Sequence, residues 1–396
     1  MFDALPLLPA DPILGLSAAY HGDTNPNKVD LGVGVYKTED GLTPVLQAVS
    51  KAEALLLKEQ TTKTYTAPAG IAGANLAAQR LAFGSEHSAI NGQRIATVQT
   101  PGGCGALRLA AELIKKTRTN ARIWVSTPTW ANHMPLLGSA GIELIEYPYY
   151  DFERHNIDFD AMMAALDATL PGDLVLLHAC CHNPSGADLS QEQWLAVTEL
   201  AKHKGFTPFI DMAYQGFGQG IEEDAFGVRV MAEQLPELVL ATSFSKNFGL
   251  YRERAGSLSI VGEDAAQARA IQSQVLSIAR GLYSMPPAHG ASIVDKIYHD
   301  QALQTLWITE LKSMRERISQ LRSDLVAALS QQQSSRDFSF IEREHGMFSF
   351  LGLNVSQVQQ IKQGFSVYMT DNSRINIAGI NKSNVDYLAK AICRVI

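Results

Sequence analysis

The chain has 396 residues, of which 46% are hydrophobic and 18% charged, and its formal net charge at pH 7 is -7. This composition is typical of a globular protein, and the length favours two lobes over one compact unit. The acidic balance gives no electrostatic reason to expect nucleic acid or an anionic membrane as a partner. Composition and charge therefore argue against both classes of partner.

The four cysteines form neither a disulfide framework nor a CxxC metal pattern. Cys180 and Cys181 precede His182, but tetrahedral zinc needs further ligands at suitable spacing and none stands nearby, so we expect no metal. The N-terminus has no basic segment and is interrupted by prolines, which argues against a signal peptide, and no apolar run is long enough to span a membrane. We expect reduced thiols and a cytoplasmic protein.

In chain order, the residues up to Pro44 are rich in turn formers and predict an extended arm with short strands. A helix is predicted from Pro44 to Gln60, where apolar residues recur at helical spacing. Two more helices are predicted at Ala106–Lys116 and Ser190–His203, the latter with a capping box of Ser190 and Gln193. Between the helices, short apolar strands are predicted at Ile95–Thr100, Arg122–Ser126, Asp173–His178, Thr207–Asp211, Leu238–Thr242 and Ser257–Val261.

This alternation predicts an α/β fold, with a large domain in which helices flank a mainly parallel sheet. Apolar residues spaced three and four apart from Leu303 to Leu329 predict one long helix, which we favour over a coiled coil. After it, strands are predicted at Phe338–Ile341, Met347–Leu351 and Arg374–Ala378, in a smaller α+β lobe. We therefore expect a large domain at 45–300 and a small one at 1–44 with 301–396, joined by the helix at about 301–331.

One lysine stands out among the predicted strand ends. Lys246 follows an apolar strand in the stretch Thr242–Gly256, among Ser, Phe, Asn and Gly, with Arg254 close by in sequence. Desolvation and a nearby guanidinium both lower the pKa of a lysine amine, and the neutral amine is the nucleophile that forms a Schiff base. An ordinary surface lysine is the alternative interpretation.

Other chemically useful residues follow the remaining strands, where ligands bind in parallel sheets. Thr100-Pro-Gly-Gly-Cys-Gly places glycines before a helix, which suits a phosphate, although it is neither a GxxxxGK nor a GxGxxG loop. Trp130 offers an aromatic face or packs in the core, and the Asn183 amide lies in a turn. Asp211 either caps a turn or pairs with a cation, and Tyr214 follows it.

Taken together, these residues fit one ligand. A phosphate cradle, a ring stacker, a carboxylate, hydrogen-bond donors and a lysine match pyridoxal phosphate. A negative Asp211 would keep the pyridine nitrogen protonated, so that the ring can take up the electrons released when a substrate Cα–H bond breaks.

The chain resembles the aspartate/aromatic aminotransferases, which are fold type I pyridoxal-phosphate enzymes. The most specific motifs are Asp211-Met-Ala-Tyr-Gln-Gly-Phe and Ser243-Phe-Ser-Lys-Asn-Phe-Gly-Leu-Tyr-Arg-Glu-Arg. Cys180-Cys-His-Asn-Pro-Ser-Gly and Tyr283-Ser-Met-Pro-Pro are nearly as specific. The resemblance extends from Ala10 to the C-terminus.

The resemblance implies roles for the residues that match. Lys246 would hold the cofactor covalently and then move the proton between the substrate Cα and the cofactor C4′. Asp211 would pair with the pyridinium, Asn183 and Tyr214 would bind the ring hydroxyl, and Trp130 would stack on the ring. Trp130 and Asn183 would also contribute to the substrate site.

The resemblance also implies a phosphate site, substrate clamps and a homodimer with shared active sites. The phosphate would be bound by Gly103, Cys104, Ser243 and Arg254, with Tyr65 from the neighbouring subunit. Gly34 and Arg374 would take the substrate α-carboxylate, and Arg280 of the other subunit would take the side-chain carboxylate. His133 and His178 match positions behind the direct ligands.

Two residues depart from the family pattern. Cys104 replaces the usual Thr or Ser, and a thiol is a weaker hydrogen-bond donor. Met285 replaces a small polar residue near Arg280 and bears on substrate preference. Lys37 and Thr43 resemble the aspartate-preferring members, so we expect transfer from aspartate to 2-oxoglutarate by a ping-pong mechanism, with dual aromatic and dicarboxylate specificity as the alternative.

Two other classes of function were weighed. Ser243-Phe-Ser-Lys246 also matches the S-x-x-K motif of serine acylases, but the companion S-D-N and K-T-G motifs are absent. A regulator that senses pyridoxal phosphate would need an appended basic DNA-binding module, which the sequence does not show. Both are weaker than the aminotransferase interpretation.

Overall fold

The computed structural model of the chain describes residues 2–7, 12–332 and 336–396. Ala10 and Asp11, where the resemblance begins, lie outside these residues. The chain divides into two compact units, of which the larger is Pro44–Arg317. The smaller combines Met1–Thr43 with Ile318–Ile396.

The larger unit is built on a seven-stranded sheet. In spatial order its strands are Ile95–Pro101, Ala255–Val261, Leu238–Ser243, Thr207–Met212, Leu174–His178, Arg122–Thr127 and Glu143–Pro148. Ala255–Val261 is antiparallel to both of its neighbours, whereas the other pairings are parallel. The predicted mainly parallel α/β sheet is therefore confirmed.

Eleven helical segments accompany this sheet within Pro44–Arg317, before the long helix begins. They are Gln47–Glu59, Ala72–Phe83, Ser88–Asn91, Gly102–Thr117, His133–Gly138, Phe159–Leu166, Gln191–Lys204, the 3-10 turn Glu223–Ala225, Phe226–Gln234, Ala265–Leu282 and Ala288–His299. A short antiparallel pair, Tyr150–Asp151 with Asn156–Ile157, lies outside the main sheet.

The helix starts show how local chemistry sets the boundaries. The Ser190 and Gln193 capping box is confirmed, and the helix that follows ends at Gly205 in the left-handed conformation. The helix predicted from Pro44 begins at Gln47, where the Glu310 carboxylate accepts hydrogen bonds from the N–H groups of Gln47 at 2.7 Å and Ala48 at 3.0 Å. A side chain from a distant part of the unit therefore caps this helix.

The helix Gly102–Thr117 starts four residues earlier than its predicted start at Ala106. Its apolar face packs into the main core, where Leu107, Leu109 and Ala110 are fully buried beside the sheet residues Ile123 and Val125. Because the glycines are themselves helical, Cys104 lies in the first turn, among the N–H groups that have no partner within the helix.

The predicted long helix runs from Gln301 to Gln331. Its apolar stripe is buried in the single chain at Leu303, Trp307, Leu311, Met314, Ile318, Leu321, Leu325 and Leu329. These side chains are already packed against their own chain, so they do not form a seam for a second helix. The coiled-coil interpretation was wrong.

The smaller unit contains short paired strands and helices. Val29–Asp30 pairs in parallel with Val367–Tyr368, and Phe348–Phe350 pairs antiparallel with Arg374–Asn376. Its helical segments after the long helix are Phe340–Arg343, Val355–Phe365, the 3-10 turn Ile377–Gly379 and Val385–Cys393. Among the described residues, no helix combines the length and the apolar character needed to cross a membrane.

Two predictions in the smaller unit were wrong. The N-terminal part is not wholly extended, because Pro12–Gly22 is an α-helix with proline at its first position, where a missing N–H costs nothing. The strand predicted at Phe338–Ile341 is a turn followed by the helix Phe340–Arg343. The Asp337 carboxylate accepts a hydrogen bond from the Ser339 N–H at 2.8 Å and turns the chain there.

Candidate active site

Lys246 lies in the turn that follows the strand Leu238–Ser243. Its Nζ is 4.6 Å from the centre of the Tyr214 ring. Burial lowers the pKa of the Lys246 amine and Arg254 adds to this effect, while Asp211 and Cys104 oppose it. The net shift favours the neutral amine, which is the nucleophilic form.

Asp211 is a buried carboxylate near the end of the strand Thr207–Met212. Its Oδ2 is 3.0 Å from Nε2 of the fully buried His133. Burial by itself raises the pKa of Asp211, but the His133 hydrogen bond, with electrostatic contributions from the neighbouring His133, His178 and Lys246 side chains, outweighs it and holds the pKa below its ordinary value. The carboxylate is therefore kept negative in an apolar setting.

Behind Asp211 lies a hydrogen-bonded network of one buried and two half-buried polar side chains. His133 Nδ1 is 2.8 Å from Thr129 Oγ1, which is 3.1 Å from His178 Nε2. In the neutral tautomer of His133 that donates its Nε2–H to Asp211, Nδ1 accepts the Thr129 hydroxyl proton, and Thr129 then accepts from His178. Burial and the neighbouring His133 lower the pKa of His178 to about 3, so this ring stays neutral. These hydrogen bonds fix the direction in which the Asp211 carboxylate points.

The ring-binding candidates stand at the same edge of the sheet. Asn183 is buried in the turn after Leu174–His178, where the N–H groups of Cys181 and His182 bond to the Asp188 carboxylate. The Trp130 ring meets the His133 ring edge-on, with centroids 5.2 Å apart. Tyr214 is buried beneath Lys246. The structure thus places Tyr214 and Asp211 beside the lysine, with Trp130 and Asn183 after strand ends at the same edge of the sheet.

The predicted phosphate cradle lies at the N-terminus of Gly102–Thr117. Gly102 has φ of +70°, and a Cβ built on it would lie 2.4 Å from Arg254 Nη2. A Cβ on Gly103 would lie 3.1 Å from Ser243 Cβ, and one on Gly256 would lie 2.6 Å from the Gly102 carbonyl carbon. Larger residues would fill this space, so the glycines keep a guanidinium and a hydroxyl close to free backbone N–H groups, which fits a phosphate.

Cys104 is partly exposed in the first turn of this helix. Its Sγ lies 3.9 Å from Asn132 Nδ2. Burial raises the pKa of the Cys104 thiol by more than the charges of Arg254 and Lys246 lower it. The side chain at this position of the cradle is therefore a neutral thiol.

The adjacent cysteines Cys180 and Cys181 lie close to Asp224, a residue that the sequence pattern did not connect with them. Ligand atoms of Cys180, Cys181 and Asp224 lie within 4.8 Å of one another in the described part of the chain. The Asp224 carboxylate already accepts hydrogen bonds from the backbone N–H groups of Gly216, Gly218, Gln219 and Gly220. This carboxylate anchors a glycine-rich loop, and that role accounts for its burial.

Arg374 and Gly34 meet within the smaller unit. The Arg374 guanidinium stacks on the Phe348 ring at 4.4 Å from its centre, and Nη2 donates to the Gly32 carbonyl at 2.8 Å. A Cβ on Gly34 would lie 2.7 Å from Phe348 Cζ. Because Gly34 has no side chain, the backbone can approach the Phe348 ring, against which the Arg374 guanidinium stacks.

Tyr65 and Arg280 do not join this pocket within one chain. Tyr65 is 90% exposed, in the irregular segment after Gln47–Glu59. Arg280 is exposed in the last turn of Ala265–Leu282, where it donates to the Ser284 hydroxyl. These are the two residues for which the resemblance implies a role across subunits.

Sequence reasoning missed two polar groups of the site. Thr129 bridges the two imidazoles, and Ser245 Oγ lies 3.1 Å from Ser243 Oγ and 3.4 Å from Arg254 Nη1. Ser245 stands between two singled-out residues of its motif and could have been found there. Thr129 gives no signal in the sequence, because its importance arises only from the distance between two histidines.

An α/β fold with a lysine amine, a buried carboxylate and a helix start suited to an anion at one edge of the sheet is the arrangement expected of enzymes that bind a phosphate-bearing ring cofactor. A sequence model described as aminotransferase class I and II matches residues 26–392. The chain belongs to this family, which depends on pyridoxal phosphate. The predicted family and cofactor are thereby confirmed.

Some of the similar proteins are named aspartate aminotransferase and others aromatic-amino-acid aminotransferase. The chain is 47% identical to an aspartate aminotransferase of Salmonella typhi and 46% identical to that of Escherichia coli (strain K12), over 100% of both chains in each case. It is 44% identical to an aromatic-amino-acid aminotransferase of Pseudomonas aeruginosa, over 98% of this chain and 97% of that one.

A solved structure of an aromatic-amino-acid aminotransferase from Burkholderia pseudomallei, covalently bound to pyridoxal phosphate, matches with a TM-score of 0.98. It shares 42% identity, and the match covers 100% of this chain and 99% of that one. The cytoplasmic aspartate aminotransferase of Saccharomyces cerevisiae matches with a TM-score of 0.97 at 33% identity, over 100% and 98% of the two chains.

Proposed function

We propose that this aminotransferase moves the amino group of aspartate to 2-oxoglutarate, giving oxaloacetate and glutamate by a ping-pong mechanism. The observation that carries the chemistry is the Lys246 amine, with its lowered pKa, in one pocket with the buried Asp211 carboxylate. The substrate preference is supported by relatives named aspartate aminotransferase, which match at 42% to 47% identity over the full length.

The bound cofactor would supply an electron sink for the carbanion formed when the substrate loses its Cα proton. Lys246 would hold the cofactor and, once displaced by substrate, would carry that proton as a general base and then as an acid. Asp211 would keep the ring nitrogen protonated, while Asn183 and Tyr214 would bind the ring hydroxyl. Trp130 would stack on the ring and help to place the substrate.

The phosphate of the cofactor would be held by Gly103, Cys104, Ser243 and Arg254. The helix N-terminus offers N–H groups without partners, and the guanidinium adds a positive charge next to them. We therefore assign cofactor binding to the larger unit.

The substrate carboxylates would be bound by two arginines. Arg374, oriented by its stacking on Phe348, would bind the α-carboxylate through a two-pronged contact, and Gly34 would add backbone contact. Arg280 of the partner subunit would bind the side-chain carboxylate of aspartate.

A homodimer is part of this proposal. Besides Tyr65, the apolar side chains of Leu57 and Leu282 are 84% and 46% exposed in the larger unit. Exposed large apolar groups that are close in sequence to Tyr65 and Arg280 suit an interface that a second copy covers. The cytoplasmic location stays a prediction from the sequence.

Dual specificity is the second candidate function. Leu282 and Met285 place apolar side chains two and five residues after Arg280 in sequence, and relatives named aromatic-amino-acid aminotransferase match at 41% to 44% identity. Comparing kcat/KM for aspartate with kcat/KM for phenylalanine separates the two. A ratio in favour of phenylalanine would overturn the preference for aspartate.

The central test is the visible spectrum of the purified protein. We expect an absorption band of lysine-bound cofactor that changes when aspartate is added and returns with 2-oxoglutarate. Lys246→Ala should lose this band, while the exposed control Lys116→Ala should keep it. The proposed chemistry fails if Lys246→Ala has the same band and the same response to aspartate as the unaltered chain.

A further inference from the structure

Within the phosphate cradle, Cys104 differs in chemistry from its neighbours. It is the third residue of the helix Gly102–Thr117, and its side chain is only partly covered by protein. The charged groups that act on its thiol are the positive Arg254 and Lys246 and the negative Asp211. The remaining polar contact is with Asn132 Nδ2, at 3.9 Å from Sγ.

The protonation of this thiol depends on what lies in the cradle. Burial already raises its pKa, and a bound phosphate adds negative charge that raises the pKa further. The thiol is therefore S–H when the cradle is filled. An S–H group is a weaker donor than a hydroxyl, and its longer contact gives a phosphate oxygen less stabilisation.

We propose that Cys104 limits how tightly this chain retains its cofactor, and that the thiol becomes open to alkylation when the cofactor leaves. This inference rests on the proposed phosphate site. It concerns a property of this chain that follows from one side chain, because the backbone N–H groups, Ser243 and Arg254 would hold the phosphate in the same way with serine at position 104.

The second part of the proposal follows from the same contacts. Without a phosphate, the partly exposed thiol has no ligand in front of it, so a small reagent can reach Sγ. Burial and Asp211 keep most of the thiol protonated, while Arg254 and Lys246 act in the opposite direction and support a reactive thiolate fraction. Iodoacetamide would then react by forming a bond from Sγ to its CH2 carbon, while the carbon–iodine bond breaks and iodide leaves. The thiol proton passes to the buffer, and the added group occupies the cradle.

The first experiment measures cofactor release from the loaded enzyme. Wild type, Cys104→Ser, Cys104→Thr and Cys393→Ser are diluted, and free pyridoxal phosphate is followed by ultrafiltration and absorbance. We expect release from Cys104→Ser to be slower by roughly threefold to tenfold, the range that corresponds to one improved hydrogen bond. Cys104→Thr provides a second hydroxyl variant in case Cys104→Ser misfolds. Cys393 is the other partly exposed cysteine, and Cys393→Ser should release the cofactor at the wild-type rate.

The second experiment measures iodoacetamide labelling of each cysteine by mass spectrometry. Cys104 should be labelled in the cofactor-free protein, and pyridoxal phosphate or inorganic phosphate should slow that labelling at least severalfold. Labelling of Cys393 should not respond to either compound. Equal labelling of Cys104 with and without phosphate, or equal release rates for all four proteins, would overturn the inference.

The proposed function and the role of Cys104 are contradicted by different results. If wild type shows no visible band after reconstitution with pyridoxal phosphate, the proposed function and the inference both fall. If the band forms but the Cys104 variants release cofactor at the wild-type rate, the inference alone is wrong. If Cys104 is labelled only after the protein unfolds, the proposal that loss of the cofactor opens this thiol to alkylation is likewise refuted.

Discussion

At the scale of single residues, the Asp211 carboxylate has the most specific surroundings. It is buried, yet His133 and the charges around it keep its pKa low. We expect Asp211→Asn to lower kcat by about 100-fold to 1,000-fold, in line with the loss of one preorganised electrostatic contact. Steady-state transamination assays would measure this, with spectra to show that cofactor is still bound.

Asp211→Glu is the matched control, because it keeps the negative charge and lengthens the side chain by one methylene group. We expect it to retain more activity than Asp211→Asn. If the two variants lose equal activity while both remain loaded, geometry rather than charge is the property that matters at this position.

The buried histidines predict a dependence of stability on pH. The pKa of His178 is about 3 in the folded chain against 6.5 for an ordinary imidazole, so only the unfolded chain takes up this proton between those values. The stability that results is fully present above pH 6.5 and is lost as the pH falls towards 3. By pH 5 the loss is up to about 2 kcal/mol for this one group.

Urea unfolding of the cofactor-free protein at pH 7, 6 and 5 would test this prediction. His178→Gln should flatten the dependence, while replacement of the exposed His289 by Gln should leave it unchanged. A midpoint that stays constant over this range in the unaltered chain would contradict the expected linkage.

Residue identity and position at strand ends were enough to single out Lys246, Asp211 and Tyr214, which the structure brings into one pocket. Nothing comparable pointed to Thr129, since its function depends on a distance between two imidazoles that lie far apart in sequence. Local chemistry is readable from a sequence, whereas polar chains behind the site need coordinates.

At the scale of elements, the start of the helix Gly102–Thr117 decides whether an anion can be held. Gly102 combines a left-handed φ with close packing against Arg254. We expect Gly102→Ala to push the guanidinium aside and to weaken pyridoxal-phosphate binding by about tenfold, comparable to the loss of one charge-assisted hydrogen bond. Equilibrium titration of the cofactor-free variant would measure the change in affinity.

Gly41→Ala is a matched control for backbone strain. Gly41 has φ of +76°, close to that of Gly102, but no atom within 4 Å of a Cβ built on it. Both variants should therefore lose about 1 kcal/mol of stability, and only Gly102→Ala should bind the cofactor less tightly. Equal affinities in the two variants would show that the space beside Arg254 is not what matters.

Elements with strong local patterns were predictable, whereas some short elements and one of the two edge strands were not. Four strands of the main sheet carry continuous apolar runs, as expected for strands covered on both faces. In Ile95–Pro101 and Ala255–Val261 apolar residues alternate with small or polar residues that are also buried. The seventh, Glu143–Pro148, lies at the edge and interleaves exposed glutamates with apolar residues, so its pattern resembles a loop. At Phe338–Ile341 a four-residue apolar pattern could not distinguish a strand from a helical turn.

At the scale of the whole molecule, the proposal requires two copies of the chain to build one site. Tyr65 and Arg280 are both exposed in the single chain, although the resemblance gives each a ligand-binding role. A requirement for a second copy can be tested without a structure of the complex. If the site is shared, two inactive variants should regain activity when they form one dimer.

Lys246→Ala and Arg280→Ala should complement each other when they are joined in one dimer. Alone, the first variant lacks the amine, and the second should lose most of its activity on aspartate because the side-chain carboxylate has no partner. In a mixed dimer, one site would combine the intact lysine of one chain with the intact Arg280 of the other. Random mixing should therefore restore about a quarter of the wild-type activity, since half of the dimers are mixed and each has one complete site.

Co-expression with two different affinity tags would isolate the mixed dimer, in which activity on aspartate should reach about half of wild type. A mixture of Lys246→Ala with Asp211→Asn is the control, because both of these residues belong to the pocket of the same chain. In that pair no site is complete, and activity should not exceed that of Asp211→Asn alone. If Arg280→Ala complements Lys246→Ala no better than Asp211→Asn does, Arg280 acts within its own chain and the shared site is refuted.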